Sequence, residues 1–188
     1  LKDLAPITLL ANIPAILLVK PSSKINTIQQ LIAMAKAEPG KLTFSSSGIG
    51  GTAHLAAQML KIMAGVNMLH VPYKGTGPAI LAVMSGEVTM TFSDVISGMP
   101  YVKSGQLKAV AITTPERSPE LPKLPSIADV LPGYSATVWY GVFAPAKTPK
   151  PIIDILNKAW VKAVHSPGMT KTLNNEGVTP IGDTPAEF

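Results

Sequence analysis

Cysteine is absent from the 188 residues, which excludes disulfides, thiol nucleophiles and thiolate metal sites. Aromatic residues are scarce, at 5%, and Arg117 is the one arginine. The formal charge of +5 rests on lysines scattered from Lys20 to Lys171, not gathered into a stripe. Nucleic-acid binding needs clustered basic groups with exposed aromatics, so no nucleic-acid partner is expected; the charge suits a small anion. Acidic residues number eleven, and no two are spaced as a general acid and base. The three histidines, His54, His70 and His165, fall into neither H-x-x-x-H nor H-E-x-x-H, so no metal is expected. The phosphate-loop and nucleophile-elbow motifs are also missing. Long apolar runs are lacking too. The stretch "APITLLANIPAILLV" is short for a membrane span and is interrupted by Thr8, Asn12 and Pro14. It has neither the basic leader nor the small-residue cleavage site of a signal peptide. The chain starts at Leu1 without an initiator Met and ends in "TPAEF" as a helix begins, as a piece of a longer protein would.

With 46% hydrophobic and 14% charged residues, the chain is globular, forming one sizeable domain or two small lobes. Strand and helix patterns alternate. "AILLVK" reads as a buried strand, "TIQQLIAMAKAE" as a helix stopped by Pro39-Gly40, and "KLTFSS" as the next strand. A glycine turn and a helix follow, the latter with Leu55, Met59 and Met63 at helical spacing. "NMLHVPY" is a strand, "PAILAVMSG" a helix and "VTMTFSD" a strand; "VISGMPYVKSG" is a broken helix, and "LKAVAI" is a strand. This alternation predicts a parallel, doubly wound α/β sheet. "TPERSPELPKLPSIADVLP" reads as a surface connection. "SATVWYGVFAP" is a strand, "PKPIIDILNKAWVKAVHSP" an amphipathic helix, and the remainder a short helix, a turn, a short strand and a helix start. Trp139, Tyr140 and Trp160 are expected in core or hinge packing.

Ligands of such sheets bind beyond the carboxyl ends of the strands, which gathers Ser45–Thr52, Tyr73–Gly77 and Ser93–Gly98. The strand–turn–helix stretch "FSSSGIGGTAHLAAQML" carries the strongest signal. Glycines allow close approach to the backbone, and the first helical amides need an outside acceptor that the helix dipole prefers to be anionic. A phosphate or a carboxylate fits; so do caps from Ser47, Thr52 or water. Serines 45–47 have no visible His–Asp partner and read as hydrogen-bonding groups. For His54, a structural bond that fixes the loop stands beside ligand contact. For Asp94, an N-cap role stands beside ligand contact. Gly48 to Ala53 also fits the dinucleotide pattern G-x-G-x-x-[G/A]. The acidic residue expected about twenty positions on is lacking, although Lys74 would suit a 2′-phosphate.

The ordered blocks "SSSGIGGTAHLAAQML", "HVPYKGTGPAILAVMSGEV", "TFSD", "VKSGQLKAVAITTPERSPELPKLPSIAD" and "WYGVFAPAKTP" resemble the Bug family, the TctC-like extracytoplasmic solute-binding proteins of tripartite tricarboxylate transporters. The likeness covers essentially the whole chain. It implies a periplasmic-binding-protein-like α/β fold (type II, Venus flytrap), with one complete doubly wound lobe, residues 15–136, and part of a second, residues 1–14 and 137–188. Hinge crossings would lie near 10–18 and 136–146. It also implies a periplasmic, non-enzymatic receptor without cofactor, which captures a small di- or tricarboxylate, hydroxy acid or amino acid and delivers it to membrane transporter subunits. Carried over by motif, the ligand-binding residues are Ser46, Ser47, Gly48, Gly50, Gly51, Thr52, His54, Tyr73, Lys74, Gly75 and Asp94. The family's first strand, loop and helix have no counterpart ahead of Leu1, so self-association through an uncovered apolar sheet face is expected. The alternatives are an NADP-type dinucleotide-binding oxidoreductase using the GIGGTA loop and a ligand sensor built on the same lobes.

Overall fold

Sixteen residues, Leu4–Val19, form one strand, β1, and Pro14 falls inside it. The computed structural model describes residues 2–118, 121–176 and 178–188. The proline-rich connection at Pro119 and Glu120, the turn at Gly177 and the start at Leu1 lie outside the described residues. The chain divides into a unit of Pro14–Thr137 and a unit of Leu1–Ile13 with Val138–Phe188; β1 contributes to both.

In the first unit the strands are β2 (Thr43–Ser46), β3 (Leu69–Pro72), β4 (Met90–Asp94) and β5 (Lys108–Ile112). With β1 they lie in the order β3-β2-β4-β1-β5. Helices α1 (Ile28–Ala37), α2 (Thr52–Ala64), α3 (Thr76–Ser85) and α4 (Val95–Lys103) connect them. The central run Ala15–Val19 is almost completely buried, at 0–1% exposure, because helices cover both faces. Leu17 and Val19 pack with Ile28 and Leu31 of α1 and Ala56 and Leu60 of α2. Ile16 and Leu18 point the other way and lie beneath Gly98 of α4. That is the two-sided burial which makes a strand read as a continuous apolar run rather than an alternating one.

The sheet is mixed, not parallel throughout. β2 is parallel to β3 and β4, whereas β1 runs antiparallel to β4 and β5. A parallel pair needs a crossover connection, which α2 and α3 supply among β2, β3 and β4; α1 joins β1 to β2 without making them run the same way, and nothing in the apolar run of β1 encodes a direction. Nor is the helix after β4 broken. Asp94 caps α4, accepting from Ser97 N at 2.8 Å, and the helix continues through Pro100 to Lys103. Burial of Val95 and Gly98 holds it against β1 despite the backbone bond that proline removes.

The second unit contains β6 from Val138 onward (the strand spans Thr137–Pro145), β7 (Thr179–Pro180), α5 (Lys150–Val164) and α6 (Pro167–Asn175). Both strands pair with β1. Ile7, Ala144 and Ile153 form its small core, with Val142 and Leu156 packed against it. The Asn157 side-chain amide donates to Ile7 O and Asp183 O, both at 2.8 Å. Asp183 Oδ1 accepts from Leu9 N at 2.6 Å. Trp139 and Tyr140 are about half exposed, at 53% and 51%, rather than in the core. Trp139 instead packs edge-on against Phe143 and Phe188, and Trp160 is 41% exposed. At the C-terminal end Thr184 and Glu187 form a reciprocal capping box, the start of a helical turn.

Candidate anion site

Because β2, β3 and β4 are mutually parallel, the helices that follow them all start at one edge of the first unit's sheet. Those three starts differ. The first turn of α4 is closed by its own carboxylate, Asp94. The N-caps of α2 and α3 are Gly51 and Gly75, and neither helix has a side-chain cap. A helix leaves four N-terminal amides without intrahelical acceptors. In α2 the Gly51 amide reaches Gly48 O at 3.4 Å, but the amides of Thr52, Ala53 and His54 meet no acceptor among the described residues. In α3 the Thr76 and Gly77 amides are equally open.

The loop ahead of α2 is internally tied. Gly48 (φ 138°) and Gly50 (φ 82°) occupy backbone conformations that side-chain-bearing residues avoid. Gly48 N donates to Ser46 Oγ and Gly50 N to His54 Nδ1, each at 3.2 Å. Those two amides are therefore engaged, whereas the amides of Ser47 and Ile49 have no acceptor among the described residues. His54 forms the loop-fixing bond. Beside this loop, Tyr73 N donates to Ser46 O at 2.9 Å, which joins the two loop starts, and Lys74 is exposed. The Tyr73 hydroxyl is shielded from solvent with no hydrogen-bond partner at bonding distance among the described residues. Burial raises its pKa, with the nearby Glu87 carboxylate the lesser cause.

Ser45, read from the sequence as a hydrogen-bonding group, is buried and donates to Ala79 O of α3 at 2.8 Å. It positions α3 on the sheet face opposite α2. No three His, Cys, Asp or Glu side chains are arranged to hold a metal among the described residues, and no described helix is long and apolar enough to cross a membrane. The edge thus offers unpaired amides and a lysine, chemistry suited to holding an anion.

The sequence matches the tripartite tricarboxylate transporter family receptor, TctC, over residues 1–185. The chain belongs to this family. A curated TctC-family relative from Pseudomonas sp. (strain P51), the UPF0065 protein of the tcbD-tcbE intergenic region, is 37% identical over 98% of this chain and 55% of its own length. The solved structure of R. palustris Rpa4515 with adipate superposes with a TM-score of 0.92 at 33% identity, over 99% of this chain and 62% of that one. MatC (Rpa3494) from Rhodopseudomonas palustris with bound malate superposes at 0.85 with 28% identity, over 94% and 60% of the two chains. The fold is therefore that of the periplasmic binding proteins, and the TctC family is one of solute-binding receptors, not enzymes. This chain spans about 55% of its curated TctC relative. The matches lend the dinucleotide reading no support.

Sequence reasoning passed over one TctC-chain residue that the structure brings to the loop. His70, placed only within a strand, is paired in parallel register with Phe44, and its Nε2 lies 2.7 Å from Ser46 Oγ. The available signal was indirect. Phe44 faces α2, a parallel neighbour at the same register shares that face, and α2 starts directly above it.

Proposed function

We propose that this protein captures a small carboxylate, of the class that includes C4 to C6 dicarboxylates and hydroxy acids, in the periplasm and presents it to the membrane subunits of a tripartite tricarboxylate transporter. One carboxylate rests on the α2 loop, through the open amides of Ser47, Ile49, Thr52, Ala53 and His54. Gly48, Gly50 and Gly51 shape the loop, and the Tyr73–Gly75 loop with Lys74 flanks it. Asp94 borders the other side and favours a ligand with a hydroxyl or amino group there over a second carboxylate.

The observation that carries this reading is the pair of uncapped helix starts, α2 and α3, beside a capped α4. The ligands of two related structures, adipate and malate, support the ligand class. The magnitudes are sufficient: charge-assisted hydrogen bonds contribute about 1.5–3 kcal/mol each and the helix dipole about 0.3–2 kcal/mol. Three such amides plus the dipole bracket the roughly −8 kcal/mol of micromolar binding.

Calorimetric titration of the protein with malate, adipate, citrate, glutamate and NADPH tests it. Saturable binding of one carboxylate class without turnover, abolished by Gly51→Phe, is the expected result. Binding of NADPH alone, weakened by Lys74→Ala, would overturn it in favour of the oxidoreductase alternative.

A further inference from the structure

Two of the loop's glycine amides, those of Gly48 and Gly50, end on one column of rings. Gly50 N–H donates to His54 Nδ1. Gly48 N–H donates to Ser46 Oγ, and Ser46 Oγ is hydrogen-bonded to His70 Nε2 at 2.7 Å. The two imidazole centroids are 4.3 Å apart, and His70 stacks on Phe44 at 4.8 Å. The open amide of Ile49 lies between the two anchored glycines, that of Ser47 directly before them and that of Thr52 two residues after, so the column sets where they point.

An imidazole nitrogen accepts a hydrogen bond only while it carries no proton. Protonation of His54 at Nδ1 would set two donors against each other, and Gly50 would have to move. The groups that face the pair come from three elements. On α2, Gln58 offers a neutral amide 3.3 Å from His54 Nε2. Lys61, also on α2, sends its ammonium to Met68 O at 2.8 Å and over the Phe44 ring at 6.0 Å. β2 contributes Phe44 and the Ser46 hydroxyl, and β3 contributes His70. No carboxylate pairs with either imidazole among the described residues. The His70 pKa is held below the usual histidine value, by burial first, then by His54 and Lys61.

We infer that His54 and His70 are positioning residues for the carboxylate loop: His70 holds Ser46 Oγ, which bonds both the amide and the carbonyl of Gly48, neutral His54 accepts from the Gly50 amide, and protonation of His54 releases the loop. The inference rests on the receptor function proposed above and adds its regulation. It has an unusual sign. A histidine that touched the ligand directly would bind a carboxylate more tightly once protonated, whereas a histidine that braces the loop binds it less tightly.

The test uses ¹⁵N-labelled protein, wild type, His54→Asn and His54→Phe. Asparagine places a neutral acceptor, Oδ1, where Nδ1 stands; phenylalanine keeps a ring and removes the acceptor. In the wild type the Gly50 amide resonance and the His54 ring nitrogens are expected to titrate with one midpoint. In His54→Asn the Gly50 resonance stays near its neutral-pH position and does not titrate, and in His54→Phe it is displaced at every pH. Titrations with malate and with adipate at about pH 8 and about pH 6 span the histidine range. They are expected to show wild-type affinity falling about fivefold to tenfold, the worth of one hydrogen bond, relative to the same change in His54→Asn. That ratio removes the ligand's own protonation. A Gly50 amide that ignores the His54 titration, or one unmoved in His54→Phe, overturns the inference. So does an affinity that rises on acidification relative to His54→Asn. Coupled titration of Gly50 and His54 with no binding of either acid supports the brace and overturns the carboxylate reading alone.

Discussion

A methyl group added at Gly98 is expected to destabilise the protein, although it improves the helix that receives it. Gly98 is buried in the middle of α4. A Cβ there would lie 3.0 Å from Leu18 Cδ1, 3.1 Å from Ile16 Cδ1 and 3.4 Å from Ser93 Cβ. Leu18 and Ile16 are 0% exposed, so neither can swing into solvent. Alanine gains about 0.8–1.0 kcal/mol of helix propensity over glycine, and overpacking a filled core costs about 1–3 kcal/mol. The second outweighs the first, and Gly98→Ala should lose up to about 2 kcal/mol. Equilibrium urea unfolding followed by far-ultraviolet circular dichroism should show a lower midpoint with an unchanged slope. A double-mutant cycle sharpens the assignment. Ile16→Val deletes the Cδ1 atom in question and alone costs about 0.5–1.5 kcal/mol. In the double variant the new methyl occupies the vacated space, so the combined loss should fall short of additivity by about 0.5 kcal/mol or more. A Gly98→Ala protein as stable as wild type, additive with Ile16→Val, would refute the reasoning. It would also remove the explanation for how α4 holds Asp94 at the edge of the site, since the close approach of helix to sheet would then need no glycine.

Three further outcomes follow from single contacts. Gly50→Ala meets no atom within 4 Å but must hold φ near 82°, so its cost is conformational, about 1–2 kcal/mol, read as a lower urea midpoint. Tyr134 is completely buried and its hydroxyl donates to Ala56 O at 3.0 Å, with burial lifting its pKa well above the usual phenol value. Tyr134→Phe should therefore cost about 0.5–1.5 kcal/mol by the same assay. His70 has a folded-state pKa below its unfolded value, so the unfolded chain binds protons first on acidification. Its contribution is complete above the unfolded value of about 6.5 and is lost as pH falls through it toward the folded value. A series of urea midpoints across that window should decline for the wild type and decline less for His70→Phe.

Much of this molecule is local and therefore legible in one dimension. The alternation of strands and helices follows from apolar periodicity and from stops such as Pro39-Gly40. The anion loop follows from Gly48, Gly50 and Gly51 between a strand and a helix, and the cap at Asp94 follows from an acid placed just before "VISG". What was not local was not legible. The antiparallel entry of β1 between β4 and β5 leaves no mark in "AILLV", because a strand buried on both faces looks the same in either direction. Nor does any residue in β6 record that Trp139 and Tyr140 are about half exposed.

The placement of His70 beneath the loop is the clearest case. His54 and His70 are sixteen positions apart, and neither has a neighbour in the sequence that announces the other. Composition and spacing by themselves supplied the glycine turn between a strand and a helix and the scattered lysines on which the proposed anion site rests. Only the parallel register of Phe44 with His70 decided that a second imidazole meets the Ser46 hydroxyl beneath that turn. A hydrogen bond between distant residues exists only once the sheet has brought its two ends within 3 Å or so.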